Sequence, residues 1–160
     1  SGAHPDSTSQ LGNDRWLLVP MPLLPTGGYL KKSGKRRWRI LRKIGSGTFS
    51  EIYSARDLKR NIDVAIKVAA PKNKISVKIL HHEQRVLRSL QKLSCVCRFF
   101  YFGTDGIFTF LVMELLAHPL SKVREMGKSP KLAGEVGVEM LECIRQIHDM
   151  GYIHRDVKPS

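Results

Sequence analysis

The stretch Ile44-Gly45-Ser46-Gly47-Thr48-Phe49-Ser50-Glu51-Ile52-Tyr53, followed by Val64-Ala65-Ile66-Lys67, is where this chain could do chemistry. Two glycines separated by one residue, between segments that both read as strands, make a hairpin whose backbone can lie close over a phosphate with no Cβ in the way. Alone this is a weak signal, because Gly-x-Gly occurs in many surface hairpins. Lys67 sharpens it. It ends a β-branched run in a strand otherwise fit for burial, and a buried unpaired ammonium is costly, so the lysine needs a partner. Glu83 is the available one. It falls on the apolar stripe of a helix expected from about Ser76 to Leu93, with Ile79, Val86, Leu87 and Leu90. A carboxylate there is either at a solvated edge or half of an ion pair across to the sheet.

The elements that must position these residues follow from periodicity. A first strand lies within Lys31 to Lys43, with Trp38, Ile40 and Leu41 as its apolar side and its many lysines and arginines solvated. Such a basic run around a tryptophan could instead meet nucleic acid, but the strand makes better use of it. Alternation and β-branched content predict strands over Ser50 to Asp57, Asp63 to Ala70 and Phe108 to Met113, with a weaker one near Phe99 to Gly103. The polar turn Asp57 to Asn61 joins two of them into an antiparallel meander. After Met113 come a short connection, a small helical piece from about Leu120 to Met126, and a long helix from about Leu132 to Met150. That helix carries Val136, Met140, Ile144 and Ile147 on one stripe, and Gly151 suits its C-terminal cap. Strands first and helices after describe an α+β chain of two lobes with a cleft between them.

Lysine and arginine total 27 against 14 acids, a net charge of +13. Anionic partners are favoured by that balance. The 3 cysteines, Cys95, Cys97 and Cys143, include no Cys-x-x-Cys pair, so neither a disulfide framework nor a zinc site is expected and a reducing, intracellular setting, cytoplasmic or nuclear, fits best. Residues 1–36 are rich in proline, glycine and small polar residues and read as a disordered lead-in. Their apolar piece, Trp16 to Leu24, is too short and too broken by proline to span a bilayer. Both ends of the sequence read as cuts.

Tyr152-Ile153-His154-Arg155-Asp156-Val157-Lys158-Pro159-Ser160 resembles the catalytic loop of eukaryotic protein kinases. The Gly-rich hairpin, the Val64 to Lys67 strand and the helical Glu83 precede it in the order such kinases have. That resemblance implies a two-lobed kinase domain over residues 37–160, incomplete at the catalytic loop. It implies ATP under the hairpin of Ile44, Gly45, Ser46, Gly47, Thr48, Phe49 and Ser50, with Ser50 where many kinases have a third glycine. Ile44, Ile52 and Ala65 would then lie around the adenine, Met113 would gate the back of its pocket, and the backbone from Glu114 to Leu116 would form the hinge that pairs with its edge. Lys67 would contact the α- and β-phosphates while Glu83 orients it, and Asp156 would accept the proton of the attacking hydroxyl. His154 would pack rather than catalyse. Lys158 occupies a position that implies serine or threonine specificity. Within the kinases the chain is most similar to the casein kinase 1 superfamily and, inside it, to the tau-tubulin kinases. The likeness rests on Ile52-Tyr53, Leu90-Gln91-Lys92, Val96-Cys97-Arg98-Phe99 and Val112-Met113-Glu114-Leu115; it departs at Ala117 to Lys122, where relatives tend to carry acids. Protein substrates bearing acidic or already phosphorylated segments follow from the same likeness, with no nucleic acid.

The asparagine of the kinase signature would fall immediately after Ser160, and the Asp-Phe-Gly aspartate that holds Mg2+ would come later still. No metal ligand is therefore expected within these residues, and this stretch alone is expected to be inactive. Two other classes stand beside the kinase: a non-catalytic nucleotide-binding or scaffold protein, and a basic nucleic-acid module. Lys67, Glu83, His154, Arg155, Asp156 and Lys158 together favour the kinase, since a scaffold would not need them all.

Overall fold

A computed structural model describes residues 22–117, 119 and 130–157. Six strands, β1 (Tyr29–Lys32), β2 (Lys35–Ser46), β3 (Ser50–Asp57), β4 (Ile62–Ala69), β5 (Phe99–Asp105) and β6 (Phe108–Glu114), form one sheet in the order β1-β2-β3-β4-β6-β5. Every pairing is antiparallel. Helix α1 (Lys74–Ser89) follows β4, and α2 (Pro130–Asp149) follows the sheet. The α+β class and the meander are as the sequence implies. The short helix expected from Leu120 to Met126 lies outside the described residues.

Strand alternation gives the sheet two different faces. On one face Trp38, Ile40, Tyr53, Ala55, Val64, Ile66, Val68, Phe110 and Val112 form the larger core. The other face presents Ala69 and Leu111, against which α1 packs Leu80. The sheet curls until its edges approach: Lys31 N–H donates to an Asp105 carboxylate oxygen at 2.9 Å, and the Trp38 and Tyr101 rings lie 5.0 Å apart.

The lead-in is not disordered throughout, because its described part, from Pro22, is built onto the sheet. Leu24 and Leu30 are buried in the larger core, and Gly27 N–H and Gly28 C=O bond the Ile40 carbonyl and amide at 2.8 Å each. Apolar residues one or two at a time carry no periodic signal, yet each hides a side chain and so anchors the strap. The expected single first strand is in fact a hairpin. Ser33 and Gly34, at φ 50° and 76°, both take the left-handed conformation of a two-residue turn between right-twisted strands. Trp38 and Ile40 are buried as expected, while Lys31, Lys32, Lys35, Arg36 and Arg39 are exposed.

Helix α1 is rotated from its sequence-derived stripe. Ser76, Leu80 and Gln84 are buried, Val77 and Leu87 pack beside them, and Ile79 is exposed. Its start is fixed by Asn73, whose side-chain oxygen accepts from Ile75 N–H at 3.0 Å and Ser76 N–H at 3.1 Å. An Asn73→Ala substitution is expected to lower stability by about 1 kcal/mol, and Asn73→Asp to restore most of it, as read from urea unfolding midpoints. In α2, Ile147 is buried and Val136, Met140 and Ile144 are half-buried, and Gly151 at φ 80° ends the helix with its N–H on the His148 carbonyl.

Candidate active site

The inter-strand register aligns the residues singled out above. Gly45 faces Ile52, Ile52 faces Lys67, and Lys67 faces Leu111, so one row crosses four strands. A second row, two residues along β4, brings Ser54, Ala65 and Met113 together. Ala65 and Lys67 therefore share a face, opposite to that of Val64, Ile66 and Val68.

Lys67 Nζ lies 2.8 and 2.7 Å from the two oxygens of Glu83. The lysine and glutamate side chains are 23% and 35% exposed. A pair so open to water contributes no more than about 1 kcal/mol to stability. Its consequence is positional: Glu83, held on α1, fixes the direction of the Lys67 ammonium. The placement of α1 in turn depends on Leu80 packed under Leu111, on the His81 ring edge-on to Phe102 at 4.7 Å, and on Gln91 just past the helix. Gln91 accepts from Phe99 N–H at 2.8 Å and donates to the Leu87 and Cys97 carbonyls at 3.1 and 3.0 Å, tying the helix end to the start of β5.

The hairpin closes through Gly47 N–H on the Ser50 carbonyl at 2.9 Å, while Ala70 N–H reaches Phe49 C=O at 3.1 Å. A bulge between Lys43 and Gly45 leaves Ile44 out of the ladder and exposed. Ser46, Gly47, Thr48 and Phe49 are exposed, and Ser50 and Ile52 half-buried. A Cβ built on Gly47 would meet only the Ser50 carbonyl, at 3.8 Å, so the backbone here faces open space that a phosphate can approach. Behind this segment Glu51 accepts from Leu23 N–H at 2.8 Å, from the Tyr53 hydroxyl and from Lys43. Burial raises the Glu51 pKa, but hydrogen bonds from Lys43, Tyr53 and Leu23 outweigh it and leave it below the ordinary carboxylate value. Burial and the Glu51 carboxylate push the Tyr53 hydroxyl up to about 12.

At the other end of the face, Met113 is half-buried with Cys97 Sγ 4.0 Å from its sulfur. Burial, then the Glu114 charge, pushes the Cys97 thiol up. Glu114 is anchored to Arg98 by two bonds, its N–H on Arg98 C=O at 2.8 Å and its side chain on Arg98 N–H at 3.0 Å. Leu116 is exposed.

Asp156 lies on the exposed segment after α2, its N–H donating to His154 Nδ1 at 3.2 Å, with Arg155 left-handed at φ 64°. His154 is exposed and bonds the backbone instead of packing, because its ring turns back on the tight bend at Arg155. Lys158 lies outside the described residues. Among the described residues no group of three or more His, Cys, Asp or Glu could hold a metal ion. The described residues supply an open glycine hairpin and a cation of fixed direction. Asn73, Gln91 and the Glu51 network were not singled out from the sequence. Only Asn73, just ahead of the helical run, carries a readable signal there.

A curled antiparallel sheet with a glycine hairpin, an inward lysine and a helix-borne glutamate clasping it defines the nucleotide-binding lobe of a protein kinase. The chain belongs to the protein kinase domain family, which matches residues 38–160. It is similar to a probable serine/threonine-protein kinase of Dictyostelium discoideum, 40% identical over 130 residues that make up 79% of this chain and 26% of that relative. A putative casein kinase I of Caenorhabditis elegans is 34% identical over 130 residues, 78% of this chain and 38% of the relative. The chain thus spans well under half the length of either curated relative. No helix among the described residues is long and apolar enough to cross a membrane.

Proposed function

We propose that this chain carries the ATP-binding part of a serine/threonine protein kinase of the casein kinase 1 type, most like the tau-tubulin kinases. The observation that carries the reading is the two-oxygen clasp of Glu83 on Lys67, one strand from the open backbone of the Gly45 to Gly47 hairpin. When bound, ATP with Mg2+ supplies the transferable γ-phosphoryl group and neutralises charge on it. Lys67 holds the α- and β-phosphates in a direction set by Glu83. Ile44, Ile52 and Ala65 lie around the adenine, Met113 backs it, and Glu114 and Leu116 present the hinge backbone. The Asp156 carboxylate would take the proton of a serine or threonine hydroxyl as its oxygen bonds the γ-phosphorus and ADP leaves, with Lys158 as the phosphate-contacting lysine the resemblance implies. Similarity to a putative casein kinase I supports the casein kinase 1 type, while the tau-tubulin likeness rests on the sequence motifs alone. The three free thiols fit a reducing compartment, cytoplasmic or nuclear.

Nucleotide affinity tests this reading directly. Gly47→Val places a branched side chain where the one protein neighbour within 4 Å is the Ser50 carbonyl, filling the approach to the hairpin backbone, so calorimetry should show ATP binding weakened by about tenfold or more, about 1.4 kcal/mol, with the unfolding midpoint unchanged. Unchanged ATP affinity would remove the hairpin from the site.

Substrate choice follows from charge. With a net +13 on these 160 residues, the full-length enzyme should phosphorylate serine or threonine flanked by acidic or phosphorylated residues faster than the same residue flanked by basic ones. The preference should shrink with added salt, as the Debye length falls from about 10 Å at 0.1 M to about 3 Å at 1 M. Peptide arrays at two salt concentrations measure it, and equal rates on both peptide classes at both would dispose of steering.

A further inference from the structure

On the sheet face opposite Lys67, at the end of β2 and β3 remote from the glycine hairpin, lies a cleft of about 240 Å³ that the kinase reaction does not use. Its cations are Lys32, Arg37, Lys59 and Arg60, and its walls are the rings of Trp38, Phe100 and Tyr101. Three cations lie over rings: Lys32 over Tyr101 at 4.6 Å, Arg60 over Phe100 at 5.0 Å and Arg37 over Trp38 at 5.7 Å.

Asp57 organises this cluster from below. Its fully buried carboxylate takes Arg37 Nη2 at 2.9 Å and Arg60 Nη1 at 3.3 Å. It also accepts the backbone N–H groups of Lys59 and Arg60, which fixes the turn that carries both side chains. Asp57 thus pairs with two of the four cations, and the cleft keeps a positive excess. Two buried donors of its lining residues, Arg37 Nε and Trp38 Nε1, have no acceptor among the described residues. Both lie beneath the cleft surface, so what the cleft itself offers a ligand is the exposed cations of Lys32, Lys59 and Arg60, which favour an acceptor-rich anion.

Size chooses among anions. Small-molecule and cofactor sites usually enclose about 300 to 1,000 Å³, so this cleft is small for a nucleotide but admits one side chain. A phosphoryl group brings about two negative charges and three acceptor oxygens, the complement of guanidinium forks held in place. We propose that the cleft binds a phosphorylated side chain of a protein segment, on the face of the sheet away from the ATP site. The site is independent of catalysis and would recruit a phosphorylated partner protein.

The chain has two tryptophans, Trp16 and Trp38, so a Trp16→Phe background of the full-length protein makes Trp38 the reporter from this lobe. A phosphotyrosine or phosphoserine peptide should shift the Trp38 indole N–H resonance saturably, and its unphosphorylated form should not. Saturating ATP should leave the shift in place. Lys32→Glu with Lys59→Glu, both exposed and outside the core, should weaken binding about tenfold or more, whereas Lys78→Glu on α1 should not. The proposal is overturned if the unphosphorylated peptide binds equally, if ATP displaces the phosphopeptide, or if the double charge reversal changes nothing in a protein that still melts normally. It is overturned too if inorganic phosphate, an oligonucleotide or anionic vesicles bind this cleft more tightly than the phosphopeptide.

Discussion

Replacing Lys67 with alanine in the full-length protein is expected to lower phosphoryl transfer about 10²- to 10³-fold, the loss typical when a donor aimed at transition-state charge is removed. Stability should move by no more than about 1 kcal/mol, since the lost pair is partly exposed. Glu83→Ala should cost less, because the ammonium remains and only its direction is lost. The double variant should be no worse than Lys67→Ala alone, as residues that act as a unit are not additive. Additive losses in that cycle would show that Glu83 acts on something other than Lys67. Steady-state kinetics with a protein substrate, paired with urea unfolding of each variant, provides the measurement.

Asp57→Ala is expected to have the largest effect on stability, a loss of about 3 to 5 kcal/mol. Its side chain is fully buried and is the shared partner of Arg37 and Arg60, and the 16% exposed Arg37 would be left behind with little water. Against a total of about 5 to 15 kcal/mol, such a loss unfolds much of the population. The same group sets part of the acid limb. Burial raises the Asp57 pKa, but N–H groups of Arg60 and Lys59 and the Arg37 guanidinium outweigh this and leave it below its ordinary 3.8. A folded-state value below the unfolded one means stabilisation that is complete above the unfolded pKa of about 3.9 and is lost as pH falls through the folded value. Glu51, also lowered, has the same sign. Urea midpoints from pH 7 down to pH 2 should therefore fall less steeply for Asp57→Ala than for the parent. A loss under about 1 kcal/mol at neutral pH would mean that the arginines find other partners.

Much of the sheet was legible because its strands alternate: β3 was read over its full Ser50 to Asp57 span, and β4 within one residue at either end. Lys67 and Glu83 could be paired from sequence because each was out of place on an otherwise apolar surface. The direction of α1 was not legible. Its residues Ile75 and Ile79 are exposed and Ser76 and Gln84 buried, so tertiary contact with β6 overrode the hydrophobic stripe. Nor was the strap from Pro22 to Gly28, whose hold depends on Glu51, Tyr53 and the Ile40 backbone, all distant in sequence. Composition called it disordered because composition does not see long-range partners. The sequence places Asp57 only at the end of a strand and the start of a turn; that it gathers two arginines depends on β2 returning alongside β3.

The central claim is that the Lys67 and Glu83 clasp serves transfer of phosphate to serine and threonine hydroxyls. It is tested most directly by incubating the folded full-length protein with γ-labelled ATP, Mg2+ and a protein substrate, then hydrolysing the product and identifying its labelled amino acids. The account predicts phosphoserine and phosphothreonine, absent when Lys67 is alanine; label on tyrosine, or ATP binding without any transfer, would contradict it.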